Sequence, residues 1–398
     1  MKKALVRTVS ISQIRLSPLR IQIIGLAAAR LVLNTGHRMV YPFLPTFARG
    51  LGVDLEAIAL AVTARSGLGL ISPAFGALAD ARGRKNAMLA ALLLFAASMA
   101  LVSLWPTYPA LFVALLLASL AKQLYDPSMQ AYIGDRVTYT RRGLAIAITE
   151  LSWSGAFLLG IPLLGWLIAR ADTWRAPFPL LTLAGLGAAI LVWRVLPADE
   201  RLAARRPSLA QGARIVLAHP TALAALGLSM LINLSNETIG IVYGAWMEDA
   251  FGLQVAALGA ASAVIGLAEL GGESLVAGVV DRVGKRRAVA AGIALNAGAC
   301  LLLPALAYSV QGALVGLFVF YITFEFAIVS LIPIMTELLP GARATLMAGN
   351  VAFFALGRML GALIGPPLFA SGLLANGIVA AAGNLLALAL LVGFVKQE

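Results

Sequence analysis

Cysteine is nearly absent from this sequence. Cys300 is the one copy, which excludes an intrachain disulfide. Histidine occurs twice, at His37 and His219, too sparsely for a histidine-rich metal site. No Walker loop, Cys/His spacing or dinucleotide fingerprint occurs, so nothing supports ATP-driven pumping, a resident cofactor or an enzyme. Charge is scarce as well: 12% of the 398 residues are Asp, Glu, Lys or Arg, against roughly 25% in soluble domains. With 61% hydrophobic residues the chain cannot cover its own surface with polar atoms, which excludes a soluble globular fold.

What the chain has instead is long runs almost free of charge, among them 86–108, 143–169, 288–324 and 344–394. About 20 apolar residues cross a bilayer as one helix, and a helix satisfies its own backbone hydrogen bonds there. Loop and breaker residues place helices near 20–47, 55–79, 86–105, 108–133, 143–169 and 177–196, then near 219–247, 255–279, 287–308, 311–338, 345–371 and 375–395. The expected fold is an all-α polytopic membrane protein of 12 transmembrane helices in two six-helix bundles. The first occupies 1–196 and the second 219–398, with a polar linker at 197–218. The basic first twenty residues lead into a hydrophobic stretch too long for a signal peptide, which reads as a retained first helix.

The net charge of +12 would suggest nucleic acid in a soluble protein, but here its distribution argues otherwise. Of 30 Lys and Arg, 21 fall at the termini and in the even-numbered loops, and three in the odd-numbered loops. The positive-inside rule then puts both termini and the linker in the cytoplasm of a plasma membrane, most simply a bacterial inner membrane. The expected partners are the bilayer and a small-molecule substrate, without nucleic acid, and the chain is expected to act as a monomer.

The chain repeats itself. "GALADARGRK" at 76–85 and "GVVDRVGKRR" at 278–287 occupy the same loop of each half, and Asp281 falls 201 residues after Asp80. Arg142 and Arg343 keep the same offset, and Gly52 and Gly252 mark the turn after each half's first helix. A parallel repeat of six helices is the arrangement of one large class of transporter. The loop stretches resemble the signature G-x-x-x-D-R-x-G-R-R/K of the major facilitator superfamily. Gly76, Asp80, Gly83, Arg84 and Lys85 fit it, with Ala81 in place of the first arginine; Asp281, Arg282, Gly284, Lys285 and Arg286 fit the second copy. The resemblance implies a cytoplasmic latch between the halves at these residues. "SGAFLLGIPLLGW" at 154–166 is similar to the fifth-helix pattern of proton-driven antiporters through Gly160, Pro162 and Gly165, although Ile161 intrudes before the proline. Small-residue packing with a proline kink accounts for it equally well.

Charge inside the membrane costs roughly 2.5–3.5 kcal/mol per central residue, so such residues face protein or a wet cavity. Twelve ionisable residues fall in the expected spans. Arg30, Asn34, Arg38 and Tyr41 form one stripe of the first helix, and Ser119, Lys122, Asp126 and Gln130 one of the fourth. Asn233, Glu237 and Gly240 align on the seventh, Tyr321 and Glu325 on the tenth. In the resembled family those four helices surround the central cavity. Candidate cavity residues are therefore Arg30, Asn34, His37, Arg38, Tyr41, Arg65, Lys122, Trp153, Asn233, Glu269, Glu273 and Arg358. Candidate proton carriers are Glu237 and Glu325, with Asp126 and Glu150 in reserve. Lys122 and Asp126 are equally a structural i,i+4 pair, and Trp153 equally a packing residue. Trp105, Trp166, Trp174 and Trp246 lie near span ends and are expected in interfacial belts.

Three functions are open at this point. One is alternating-access transport of a small amphipathic compound, energised by a proton gradient and directed outward. A second is an organic-anion, sugar or lipid carrier of the same fold that uses Arg30, Arg38 and Arg65 to bind cargo. The third is a membrane sensor without transport, for which the sequence offers no signalling domain.

Overall fold

The computed structural model describes residues 18–71, 83–197, 214–339 and 342–395. Gly76 and Asp80 of the first loop signature, and most of the 197–218 connection, lie outside the described residues. Among the described residues every element is helical: α1 (Pro18–Arg38), α2 (Val40–Leu51), α3 (Leu55–Gly67), α4 (Arg84–Leu104), α5 (Tyr108–Arg136), α6 (Tyr139–Gly155), α7 (Ile161–Ala171) and α8 (Pro177–Val195) precede the connection. After it come α9 (Pro220–Gly240), α10 (Tyr243–Phe251), α11 (Val255–Ala261), α12 (Ala263–Val283), α13 (Lys285–Leu306), α14 (Val310–Leu338), α15 (Arg343–Phe369) and α16 (Leu373–Phe394). Ten helical segments among them are long and apolar enough to cross a bilayer. The first expected span is helical but broken at Met39 between α1 and α2, and α3 begins the second.

The breaks have local causes. Pro42 and Pro45 of α2 lack the N–H groups that would continue the ladder from α1. A π turn at Ala156–Gly160 joins α6 to α7 immediately before Pro162. The two parts of the chain repeat their punctuation. Gly52 and Gly252 end α2 and α10 at φ +67° and +64°. Gly83 and Gly284 open α4 and α13 at φ +89° and +93°. Thr107 and Ser309 cap α5 and α14 by accepting backbone N–H groups.

Packing follows the same repetition: α4 lies against α5 and α8, as α13 lies against α14 and α16. Lipid gives helices no hydrophobic reason to associate, so close approach depends on small residues. The parts before and after the connection meet along α3 with α15, α7 with α11, α2 with α10, and the π turn with α12. A Cβ at Gly165 would sit 3.1 Å from the Gly259 Cα, and one at Gly266 2.7 Å from the Ser154 carbonyl oxygen. At Gly244 it would lie 2.6 Å from the Pro42 carbonyl oxygen. Arg49 and Glu248 form an ion pair beside this seam, at the end of the molecule that carries Gly52 and Gly252. The tryptophans divide: Trp105 and Trp166 are exposed as a belt requires, whereas Trp174 and Trp246 are buried against Phe47, Phe178 and Phe251.

Candidate functional site

A central cavity of about 110 Å³ opens between the two parts of the chain. Of the candidates, Arg38, Tyr41, Trp153, Asn233, Glu237, Glu269, Glu325 and Arg358 line it, joined by Phe157, Asn236, Tyr321, Phe324 and Phe354. The helical stripe on α1 continues into α2 at Tyr41, which is why the break at Met39 leaves all four of its residues buried. A volume of this size holds a few waters, at roughly 30 Å³ each in the liquid. Drug-sized ligands need about 300–1,000 Å³, so a cargo of that size requires a wider conformation.

Two charge clusters cross the cavity. Arg38 donates to Glu269 of α12 through both terminal guanidinium nitrogens, Nη1 at 2.8 Å and Nη2 at 2.5 Å, and both side chains are almost wholly buried. Its guanidinium lies 4.0 Å from the Trp153 ring and 3.8 Å from that of Phe157. Stacking on aromatic faces adds to the ionic attraction. In the second cluster Tyr41 donates to Glu237 Oε1 at 2.8 Å. Arg358 Nε donates to Glu237 Oε2 at 2.9 Å, and its Nη2 donates to the Tyr41 hydroxyl at 2.5 Å. Glu237 is thus held by two side chains, from α2 and α15.

A third cluster lies beside the cavity within the first part of the chain. Arg30 reaches Asp126 at 3.1 Å and Glu150 at 2.7 Å, and its Nη1 donates to the Thr149 carbonyl. Lys122 pairs with Asp126 at 2.7 Å across one helical turn and donates to Asn34, which in turn donates to Ser152. This cluster ties α1, α5 and α6 together. Asp126, serving two cations at once, is committed to structure in this conformation, as is most of Arg30.

The remaining candidates have fewer partners. Glu325, 7% exposed, and Glu273, partly buried, have no ion pair among the described residues. The carboxylates of Glu150, Glu269 and Glu273 are within electrostatic range of Glu325. Arg65 donates one bond, from Nη1 to the His37 carbonyl at 2.7 Å. The His37 imidazole is partly buried and its Nδ1 is unpartnered. Neither Arg65 nor His37 lines the cavity; the Arg65 Cζ lies 5.4 Å from the Tyr41 ring.

The loop signatures show their use in the basic residues. Lys85 donates to the carbonyls of Trp193 and Leu196 at the end of α8, and Arg286 donates to those of Leu391 and Val392 at the end of α16. Cations there satisfy orphan carbonyls and oppose the helix dipole. Arg84 pairs with Asp135 at 3.0 Å and Lys285 with Glu337 at 2.6 Å. Asp281 and Arg282 are exposed at the end of α12. Sequence reasoning missed Asp135 and Glu337, although their offset of 202 residues carries the same repeat signal. Phe157 and Phe354 were missed because an apolar wall residue looks like any other membrane residue.

The model for the Major Facilitator Superfamily matches residues 26–236. The chain is 30% identical over 141 residues to the uncharacterized MFS-type transporter YwfA of Bacillus subtilis (strain 168), a match spanning 35% of this chain and 34% of that protein. It is 28% identical over 381 residues to the chloramphenicol resistance protein of Streptomyces lividans, across 93% of this chain and 94% of that one. In fold it is similar to the crystal structure of a D-xylose-proton symporter, with a TM-score of 0.81 at 16% identity over 96% of this chain and 98% of that one. Repeated helical punctuation, a buried charged centre and these similarities together place the chain in the Major Facilitator Superfamily, as a polytopic membrane transporter and not an enzyme.

Proposed function

We propose that the chain exports a small amphipathic compound across a bacterial plasma membrane by alternating access, in exchange for protons. The observation that carries the reading is the contrast between cavity acids. Glu237 and Glu269 are each bound by a guanidinium, whereas Glu325 faces the cavity with none. Protonating Glu325 breaks no ion pair, so it is the first candidate carrier, and Glu237 second. Arg38–Glu269 and the Tyr41–Glu237–Arg358 cluster bridge the 1–196 and 219–398 halves, so their making and breaking would accompany rocking of one half on the other. With both termini cytoplasmic, the Arg49–Glu248 pair and the glycine seam lie at the outer end, and this conformation is closed outward. Outward transport is favoured by similarity to a chloramphenicol resistance protein.

The test is flux in proteoliposomes under an imposed pH gradient. Glu325→Gln should retain cargo binding and exchange but lose acceleration by the gradient; Glu237→Gln should lose it partly. Full gradient-driven transport in both variants would refute proton carriage by the cavity acids.

A further inference from the structure

Arg65 on α3 is the cation that the structure leaves unmatched. It is 1% exposed, yet no carboxylate pairs with it among the described residues, whereas Arg30, Arg38, Lys122 and Arg358 each have at least one. Its single hydrogen bond uses Nη1, and both Nε and Nη2 are unpartnered. Those two groups neighbour one another along one edge of the planar guanidinium, the arrangement that engages a carboxylate through two parallel bonds. A buried charge without a counterion is expensive, and such groups persist where function needs them.

The Arg65 guanidinium lies beside a residue of the cavity wall. Tyr41 lines the cavity wall, and its ring lies 5.4 Å from the Arg65 Cζ and 5.7 Å from the Arg358 Cζ. The hydroxyl of that ring is anchored by Glu237 and Arg358, so release of those bonds frees the ring to turn. Beside Tyr41 the two cations Arg65 and Arg358 meet one carboxylate, Glu237, leaving one positive charge in excess there. Trp153, Phe157 and Phe354 supply an apolar wall nearby.

We propose that Arg65 receives the carboxylate of an amphipathic organic acid, with Tyr41 as the side-chain door between it and the cavity. The proposal rests on the central cavity being the cargo site, and it names the cargo's polar group. Neither Arg30 nor Arg38 serves this purpose, since their carboxylate partners already occupy them.

The test is thermal stability of the purified full chain in detergent, with sodium benzoate as probe and benzamide as its neutral counterpart. Benzoate should raise the midpoint and benzamide should not. Arg65→Gln should weaken the benzoate response roughly tenfold to a hundredfold, as loss of a charge-assisted paired contact implies. Without ligand, Arg65→Gln should be at least as stable as the parent, because it removes an unmatched buried charge. Arg65→Lys keeps the charge but not the edge, and should also lose most of the response. Tyr41→Phe, which frees the ring, should reach half-response at lower benzoate. Equal benzoate and benzamide responses, a benzoate response unchanged in both Arg65 variants, or a weaker one in Tyr41→Phe, would overturn the proposal. Gradient-driven flux is measured separately, so this inference and the proton-exchange reading fail independently.

Discussion

Replacing Glu269 with Gln tests whether the charge pairs across the cavity hold the closed conformation. The change keeps the side chain's size but leaves the Arg38 guanidinium buried and without its counterion. Breaking a buried pair from one side costs about 3–5 kcal/mol. Stacking between Trp153 and Phe157 survives and stabilises the cation still present, so the lower end applies, about 3 kcal/mol. That corresponds to a shift of roughly 150-fold in the balance between this conformation and one in which Arg38 meets water. Spin labels at Arg170→Cys and Gln254→Cys report it, on a chain whose one native cysteine, Cys300, is buried and replaceable by Ser. The parent should give one short distance by double electron–electron resonance, and Glu269→Gln a longer population in excess. Arg38→Met with Glu269→Gln should restore part of the short population, since no charge is then stranded. An unchanged distance distribution in Glu269→Gln would refute the reasoning.

The glycine seam between α7 and α11 and the glycine turns give two further expectations. Gly259→Val should spread the same labels without abolishing membrane insertion, because a Cβ there already lies 3.1 Å from the Gly165 Cα and from the Ile161 carbonyl oxygen; an unaltered distance would show that the seam yields elsewhere. Gly284→Ala should lower stability by about 1–3 kcal/mol, since φ +93° with ψ 137° is a region essentially reserved for glycine. Gly252→Ala, at φ +64° and ψ 26°, should cost less, about 1–2 kcal/mol; the order of the two melting temperatures checks this.

Much of this arrangement was legible in the residues themselves. Periodicity placed Arg30, Asn34, Arg38 and Tyr41 on one stripe because the α-helical repeat continues nearly in phase across Met39. The offset of about 201 residues paired Gly83 with Gly284 and Gly52 with Gly252 before any coordinates, because each turn needs a positive φ. Which charges meet was not legible. The sequence allowed Arg38 to pair with Glu237, Glu269 or Glu325, and the choice depends on the approach of α12 through Gly266 to Ser154. The isolation of Arg65 was equally hidden, since a sequence records a cation but not the absence of its partner. The close packing of Gly160, at the end of the π turn, against Thr35 is a tertiary contact that no local pattern contains.

The matching of charges in the core has an electrical consequence. Transfer of one elementary charge through a membrane potential of 100 mV is worth about 2.3 kcal/mol. Arg358 and Glu237 lie together in the part after the connection, and Arg30 and Lys122 with Asp126 and Glu150 in the part before it, so each of these groups moves as a nearly neutral unit, while Arg38 and Glu269 are opposite charges on opposite parts. The groups without an ion pair among the described residues, Arg65, Glu325 and Glu273, are also of both signs. On the proposed rocking motion the protein itself would have little gating charge, and voltage would act on the cycle through whatever ion or proton the cavity holds at the moment it turns.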